Sequence, residues 1–464
     1  MQGLWRNIGK AAGRLLPRKG VADALGADVE GGGKMAAAIG LWARLYTDDP
    51  PWLYDGSGRR DPTVQTLGLP AAIAGKLAKL ATLEMTASLS GSARAAYLDA
   101  QLRPVMDRIR THTEHACALG GLAFKPYIDG GTVAVDAAQA DAFFPTAFNG
   151  RGEVTAAVFA EQAVQGRYFF TKLEHHALTD AGYRITNRAF RSRVRDTLGV
   201  EVPLDAVDAW ADLMPEALIE HVNRPLFAYF RIPQANTADR ASPLGASVFA
   251  RAAGQIRQAD MLHSGILWEY EGSQLAVDAD LAALAPDGGG APGRLPQRDA
   301  RLFRSVGLSG GAGGDFYQVF SPPIRDASLF NGLNRQLQHV ERACGLSFGT
   351  LSDPQSVDRT ATEIKSSKQE MYATVTEIQK ALQAALEQLV YAMDVWATLG
   401  RLAPAGRYHL AVHFDDGVLN DPDVQKQQDL QEVRDGILGK AEYRMKWYGE
   451  DEAAARAALA ALDG

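Results

Sequence analysis

Few residues in this chain are of a type and spacing that can do chemistry, and histidines come first. His112-Thr-Glu-His115 is followed two positions on by Cys117, and His175-His176 form a second cluster. Three apart on a helix, His112 and His115 share a face and are able to ligate one Zn2+ ion. The spacing departs from the His-Glu-x-x-His helix of zinc proteases and from paired Cys-x-x-Cys frameworks. Surface or packing histidines are therefore the expectation, and no metal or other cofactor is assigned. A metal-dependent hydrolase using His112 and His115, with Cys117 as a further ligand, is the alternative.

Phosphate and acyl chemistry find no better footing. Gly31-Gly-Gly-Lys34 is followed by Met35 where a phosphate loop needs Ser or Thr, and Asp28 stands where its first glycine belongs. Ser309-Gly-Gly-Ala-Gly-Gly314 has no lysine and precedes a strand pattern, so it reads as a loop. Asp415 and Asp416 have His413 as the only nearby base and no third acid, which suits a turn after a strand, Phe414-Asp-Asp-Gly417. Neither Gly56-Ser57-Gly58 nor Gly91-Ser92 forms a Gly-x-Ser-x-Gly elbow. The expectation is a protein that is not an enzyme.

The elements that carry these residues follow from hydrophobic period. Leu67, Ala72, Ile73, Leu77, Leu80, Leu83 and Met85 fall on one helical stripe, with Pro70 near its start. From about Leu122 the pattern alternates: Leu122 and Phe124, Val133 and Val135, Val154 to Val158, Tyr168 and Phe170, Tyr183 and Ile185. Gly130-Gly131, Asn149-Gly150 and Asp180-Ala181-Gly182 punctuate it, predicting an antiparallel meander that ends near Arg195. Ser242 as N-cap and Pro243 in the first turn open a helix. Its stripe of Val248, Phe249, Ala252, Ile256, Ala259, Leu262 and Ile266 runs about seven turns, roughly 40 Å.

A Gly- and Pro-rich stretch, Gly272 to Pro323, follows, with short strands predicted at Leu275 to Val277, Leu302 to Val306 and Phe316 to Phe320. A second helix from about Arg325 carries Leu329, Leu333, Leu337, Val340 and Cys344 on one face and stops at Gly345. Packed antiparallel, the two helices make a stalk with the small β insert at its far end. Thr360-Ala-Thr-Glu363 then reads as the capping box of a third helix. Its stripe, from Ile364 and Met371 to Met393 and Trp396, lasts to Gly400, on the order of 60 Å. The tail from Val424 to Gly464 reads as helical, charged and alanine-rich.

Composition bounds the class. At 464 residues, 46% hydrophobic and 22% charged, the chain is an ordinary folded protein, too long for one compact core. Cys117 and Cys344 cannot build a disulfide framework and fit a reducing compartment. The basic start (Arg6, Lys10, Arg14, Arg18, Lys19) has no apolar run before a cleavage site. Nowhere do about 18 apolar residues follow one another, so no membrane partner is expected. A net charge of −7 argues against a general nucleic-acid coat, though not against a surface that DNA slides past without sticking.

Ser242 to Glu271, SPLGASVFARAAGQIRQADMLHSGILWEYE, resembles the helix that leads into the stem of portal proteins of tailed, double-stranded DNA bacteriophages and prophages. Four further stretches are similar to that family in the same order. Leu67 to Glu84 looks like its early helix, and Phe316-Tyr-Gln-Val-Phe-Ser-Pro-Pro-Ile-Arg325 like the return from the clip into the second stem helix. Thr360-Ala-Thr-Glu-Ile-Lys-Ser-Ser-Lys368 matches the start of the long helix. Val412-His-Phe-Asp-Asp-Gly417 with Asp421, then Gly436-Ile-Leu-Gly-Lys440, looks like the closing segment. Each motif is weak alone; five in register are specific, and they cover roughly Gly40 to the C-terminus.

The resemblance implies an α+β portal fold with long stem and wing helices, an antiparallel β meander in the wing and a small β clip. Residues 1–235 would be the N-terminal wing, 236–271 the first stem helix, 272–322 the clip and 323–345 the second stem helix. Residues 346–359 would be the tunnel loop, 360–417 the long wing helix and closing strand, and 418–464 the crown. It implies a ring of twelve copies at a capsid vertex, the head-tail connector through which a terminase motor packages double-stranded DNA and through which that DNA is later ejected. The implied partners are further copies of the chain, double-stranded DNA held without sequence specificity, the terminase large subunit, major capsid and scaffolding proteins, and a head-tail adaptor. The implied location is the virion, after assembly in the host cytoplasm. The long helices are then expected to bury their stripes against neighbouring copies rather than within one chain. A coiled-coil scaffold that forms fibres is a second alternative.

Arg251 and Arg257 on the first stem helix, Arg335 and Arg342 on the second and Arg359 in the loop are the basic residues nearest the lumen that the resemblance implies. Intersubunit salt bridges are the other reading of the stem arginines. The loop comprises Ser347, Phe348, Gly349, Thr350, Leu351, Ser352, Asp353, Pro354, Gln355, Ser356, Val357, Asp358 and Arg359. Small and polar for the most part, it can flex without exposing apolar surface and is expected to project into the channel as its narrowest ring, with Phe348, Leu351 and Val357 packing loop on loop. An ordinary surface turn is the other reading.

Overall fold

The computed structural model describes residues 18–26, 33–273, 276–280, 303–306, 317–320, 323–353, 361–414 and 422–461. The chain is α+β, and antiparallel pairing dominates its sheets. Helices lead: α1 (Arg18–Leu25), α2 (Lys34–Tyr46) and α3 (Leu69–Thr82), which has Pro70 in its first turn, where a missing N–H costs nothing. Strand β1 (Thr86–Ser90), α4 (Ala93–Met106, capped by the Ser92 side chain) and α5 (Ile109–Leu119) follow.

Nine strands come next: β2 (Gly121–Asp129), β3 (Thr132–Gln139), β4 (Phe143–Phe148), β5 (Val154–Gln165), β6 (Tyr168–Thr179), β7 (Gly182–Ser192), β8 (Val200–Val202), β9 (Glu216–Ile219) and β10 (Ala228–Arg231). Gly130 and Gly131 both have positive φ, as a two-residue hairpin turn requires. The meander is not one sheet and does not end near Arg195. Strands β4-β5-β6-β7-β8 form one sheet, with β9 also on β7, while β2 sits between β3 and β10 in a separate three-stranded sheet. Phe230 of β10 lies opposite Leu122, a pairing across more than a hundred residues that no local pattern announces.

The second half holds α6 (Ala253–Gly272), β11 (Ala276–Asp280), β12 (Phe303–Val306), β13 (Tyr317–Phe320), α7 (Asp326–Ala343), α8 (Ala361–Leu399) and β14 (His409–His413). Three tail helices follow: α9 (Pro422–Arg434), α10 (Lys440–Tyr448) and α11 (Glu452–Ala460). The three predicted insert strands make one sheet in the order β12-β11-β13, and β14 returns to pair with β1. The first long helix starts later than Ser242-Pro243 implied. Leu244, Ala246, Ser247, Val248 and Phe249 are buried in irregular backbone, with the Val248 N–H donating to the Cys117 carbonyl. That tertiary packing overrides the capping signal.

Helix α8 is the centre of the core. Val375, Ile378, Leu382, Leu386, Leu389 and Met393 are buried in one cluster with α3, β2 and β10 side chains. The expectation that the long stripes find cover only on neighbouring copies is therefore corrected: this helix is covered by its own chain from Val375 onward. On the two stalk helices, large apolar residues are left exposed toward the β insert, on the far half of α6 (Met261, Leu262, Leu267, Trp268, Tyr270) and near the start of α7 (Phe330).

Candidate functional site

The stalk positions the basic residues. Ile256, Ala259 and Ile266 of α6 share a buried cluster with Leu333 and Val340 of α7, and the Gln336 amide donates to the Gln255 carbonyl at 3.1 Å. At the far end Arg325 grips Glu269 with two hydrogen bonds, of 2.8 and 3.1 Å. A second face of α6 is fastened to the N-terminal helices' connecting loop. The buried Asp260 carboxylate accepts from the Trp52 indole and the Leu67 N–H, both at 2.9 Å, and Ser264 bonds Gln65. The direction of α6 is thus fixed from two sides.

Between α6 and α7 lies an open groove of about 630 Å³, lined by Arg251, Gln255, Gln258, Gln336, His339 and Arg342. It brings together two of the expected basic residues, Arg251 and Arg342. No carboxylate lines it. Arg257 is exposed on α6, and Arg335 is exposed on α7, where it donates to Gln338 at 3.0 Å. None of these four arginines makes an ion pair among the described residues. A groove of guanidinium and amide donors with no acid suits phosphate oxygens.

The loop after α7 is held where composition predicted flexibility. Helix α7 ends in a Schellman turn: Gly345 has φ +67°, and the Leu346 N–H donates to the Glu341 carbonyl at 2.9 Å. The fully buried Glu341 carboxylate then accepts from the Leu351 N–H (2.6 Å), the Ser352 N–H (2.8 Å) and the Ser352 hydroxyl (2.9 Å). Ser347 and Thr350 bond each other, and the Asp353 N–H donates to Asn334. Residues 347–353 therefore fold back on α7, with Phe348 partly exposed, and the freely flexing loop is corrected over that half. Pro354, Gln355, Ser356, Val357, Asp358 and Arg359 lie outside the described residues, as do Thr360, Asp415, Asp416, Gly31, Gly32 and the Ser309–Gly314 stretch.

The histidines are packing residues. His112 sits edge-on to Phe124, and burial, then Arg108 and His115, pushes its pKa down to about 4. His115 meets the Gln139 amide and the Tyr46 ring, and burial raises the fully buried Cys117 thiol. His176 is buried between the Tyr183 hydroxyl (2.9 Å) and Glu174 (2.6 Å). No cluster of three metal-ligating side chains occurs among the described residues.

Two groups of buried polar residues escaped the sequence reading. Buried Lys125 of β2 pairs with Glu174 of β6, and buried Lys172 of β6 with Glu161 of the neighbouring β5, both at 2.8 Å. Burial alone would raise the Glu174 carboxyl, but Lys125, His176 and Lys172 hold it well below the usual carboxylate range. Alternation assigns such residues to a solvent face; here both faces of β6 are covered. Glu341 was legible: it continues the Leu333, Leu337 row at four-residue spacing on the buried side of α7.

No family model matches the sequence, and no curated protein is similar enough to count as a relative. Among solved structures, a chain in "Neck of native GTA particle computed with C12 symmetry" is similar over 92% of this chain and 97% of that chain, at 13% identity and a TM-score of 0.43. A score of that size does not establish a shared fold.

Proposed function

We propose that this chain is a portal subunit: one copy of a closed ring, at a capsid vertex, that serves as the head-tail connector and the channel for double-stranded DNA. The observation that carries the reading is the stalk. Two antiparallel helices flank a three-stranded insert and run on into a long helix, in the order that the portal resemblance implies. The apolar residues left bare on the stalk support assembly, since Trp268 is 65% exposed and Phe330 49%. In this reading residues 1–235 with 360–417 are the wing, 236–271 and 323–345 the stem, 272–322 the clip, 346–359 the tunnel loop and 418–464 the crown. The ring has twelve copies, and its partners are terminase, capsid and scaffolding proteins and an adaptor. The chain's role is structural, with the packaging work supplied by a separate motor.

The groove between α6 and α7 is the DNA-facing site of this reading, with Arg251 and Arg342 as its cations. A net charge of −7 per chain keeps the rest of the surface repulsive, so that no phosphate minimum is too deep to leave. Negative-stain electron microscopy of the purified protein tests the assembly. A closed ring with a pore wide enough for a duplex is expected, whereas a rod, or a stable monomer at micromolar concentration, defeats the reading.

A further inference from the structure

One tip of the six-stranded sheet carries an unusual cluster. Tyr168, at the β5–β6 turn, has three guanidinium groups against its ring: Arg191 at 5.1 Å, Arg167 at 5.4 Å and Arg193 at 5.7 Å from its centroid. None of the three makes an ion pair among the described residues. Arg167 and Arg193 each also donate one N–H to the Tyr168 hydroxyl at 3.5 Å, so the ring gathers three positive charges that no carboxylate of the described residues neutralises. Val194 and Val200, beside them, are more than half exposed. Charge and apolar area together are what a protein interface offers.

The complement of this surface lies on the same sheet, at its outer edge. From Thr197 to Glu220 the chain has six acids (Glu201, Asp205, Asp208, Asp212, Glu216, Glu220) and no lysine or arginine. This segment runs down the outer side of β7, from Glu201 opposite Phe190 to Ile219 opposite Tyr183. Arg188 takes Glu201 and Arg184 takes Glu216, which leaves Asp205, Asp208, Asp212 and Glu220 exposed without an ion pair among the described residues, the last two flanking β9. Leu213, Met214 and Leu218, exposed among them, supply the apolar area. The far end of the strip is roughly 25 Å from Arg191 along β7, too far for one copy to satisfy both surfaces itself.

We propose that the arginine-ringed Tyr168 of one copy docks on the acidic edge around Asp212 and Glu220 of a second copy. Because the two surfaces differ, the contact is heterologous, and it repeats from copy to copy around a ring. A long polyanion is the poorer partner for the arginines, since the acidic strip starts at Glu201, opposite the residue next to Arg191. The proposal rests on the ring reading above and adds which surfaces of the wing meet.

Charge reversal tests it by mass photometry or sedimentation of the full chain. Arg191→Glu with Arg193→Glu, and separately Asp212→Lys with Glu220→Lys, are each expected to raise the half-assembly concentration about tenfold or more. An equal mixture of the two variants is expected to regain wild-type assembly, because every altered surface then faces its opposite. The neutral changes Arg193→Gln and Glu220→Gln are expected to weaken assembly in the same direction and to flatten its salt dependence. Variants that assemble like wild type, or folded variants whose mixture does not recover, overturn the contact while leaving the ring reading intact. A wild-type chain that stays monomeric defeats the ring reading itself. Loss of binding to a labelled duplex of about 30 base pairs in the arginine variant, with assembly unchanged, reassigns the cluster to phosphate and likewise overturns the proposal.

Discussion

Gly120 and Gly245 meet backbone to backbone. A Cβ on Gly120 would lie 2.6 Å from the Gly245 carbonyl oxygen, and one on Gly245 would overlap the Gly120 carbonyl. Gly120 closes α5 at φ +88°, and its own carbonyl accepts from the Ile232 N–H at 3.1 Å. This crossing seats the segment that leads into α6 against the end of α5. Because the clash is with backbone, no flexible side chain can yield. Gly245→Ala is expected to cost about 2–3 kcal/mol, read as a lower denaturation midpoint by circular dichroism. Gly254→Ala, on α6 with open space around it, is expected to stabilise by up to about 1 kcal/mol; equal effects at the two sites would show that the crossing is not tight.

Gly245 also marks the limit of what was legible in the sequence. Apart from the start of α6, helices with a clear 3.6 period, the β hairpins with Gly-Gly or Asn-Gly turns, and the three insert strands stand within a few residues of their predicted places. Those signals are local. The buried irregular run from Leu244 to Phe249 was read as helix because its stabilisation comes from Cys117 and Gly120, far away in sequence. Arg251 and Arg342 were nameable through the portal resemblance, but their meeting in one acid-free groove depends on the register of α6 on α7. The hold on the loop was missed because small polar residues signal freedom only when no buried acceptor waits for their N–H groups.

Glu341 decides whether that loop has a fixed position. Glu341→Ala removes the acceptor of two backbone N–H groups and one hydroxyl, which is expected to cost about 2–4 kcal/mol. Amide hydrogen exchange at Leu351 and Ser352 is expected to accelerate far more than exchange in α8. Exchange that speeds up uniformly would mean that Glu341 supports the whole fold and does not act on the loop in particular.

His112 predicts an acid-side loss of stability. Its folded pKa is lowered to about 4 from an ordinary 6.5, so between those values the unfolded chain binds a proton that the folded chain refuses. Stability is therefore expected to fall as pH drops from about 6.5 toward 4, with no further contribution below that range. His112→Phe, which keeps an aromatic ring against Phe124, is expected to flatten this slope without removing it, since burial also lowers His115, His175 and His176. An unchanged slope in urea midpoints across that window would contradict the assignment.

The groove arginines have two readings, and one pair of measurements separates them. A guanidinium that pairs with an acid on the next copy contributes to assembly and little to DNA; one that faces the lumen contributes to DNA and little to assembly. Arg251 and Arg342 share a groove whose other lining residues are three glutamines, a histidine and an alanine, so any acid that reaches them has to come from outside it. Phosphate meets that requirement with both arginines at once. Arg251→Gln with Arg342→Gln keeps a polar amide donor at each position while removing both charges, and is expected to leave ring mass unchanged. In a salt titration of duplex binding to assembled rings, each lost phosphate contact is expected to reduce the slope of log K against log salt by about 0.9. A slope that stays at the wild-type value while rings fall apart would assign the two arginines to the joint between copies.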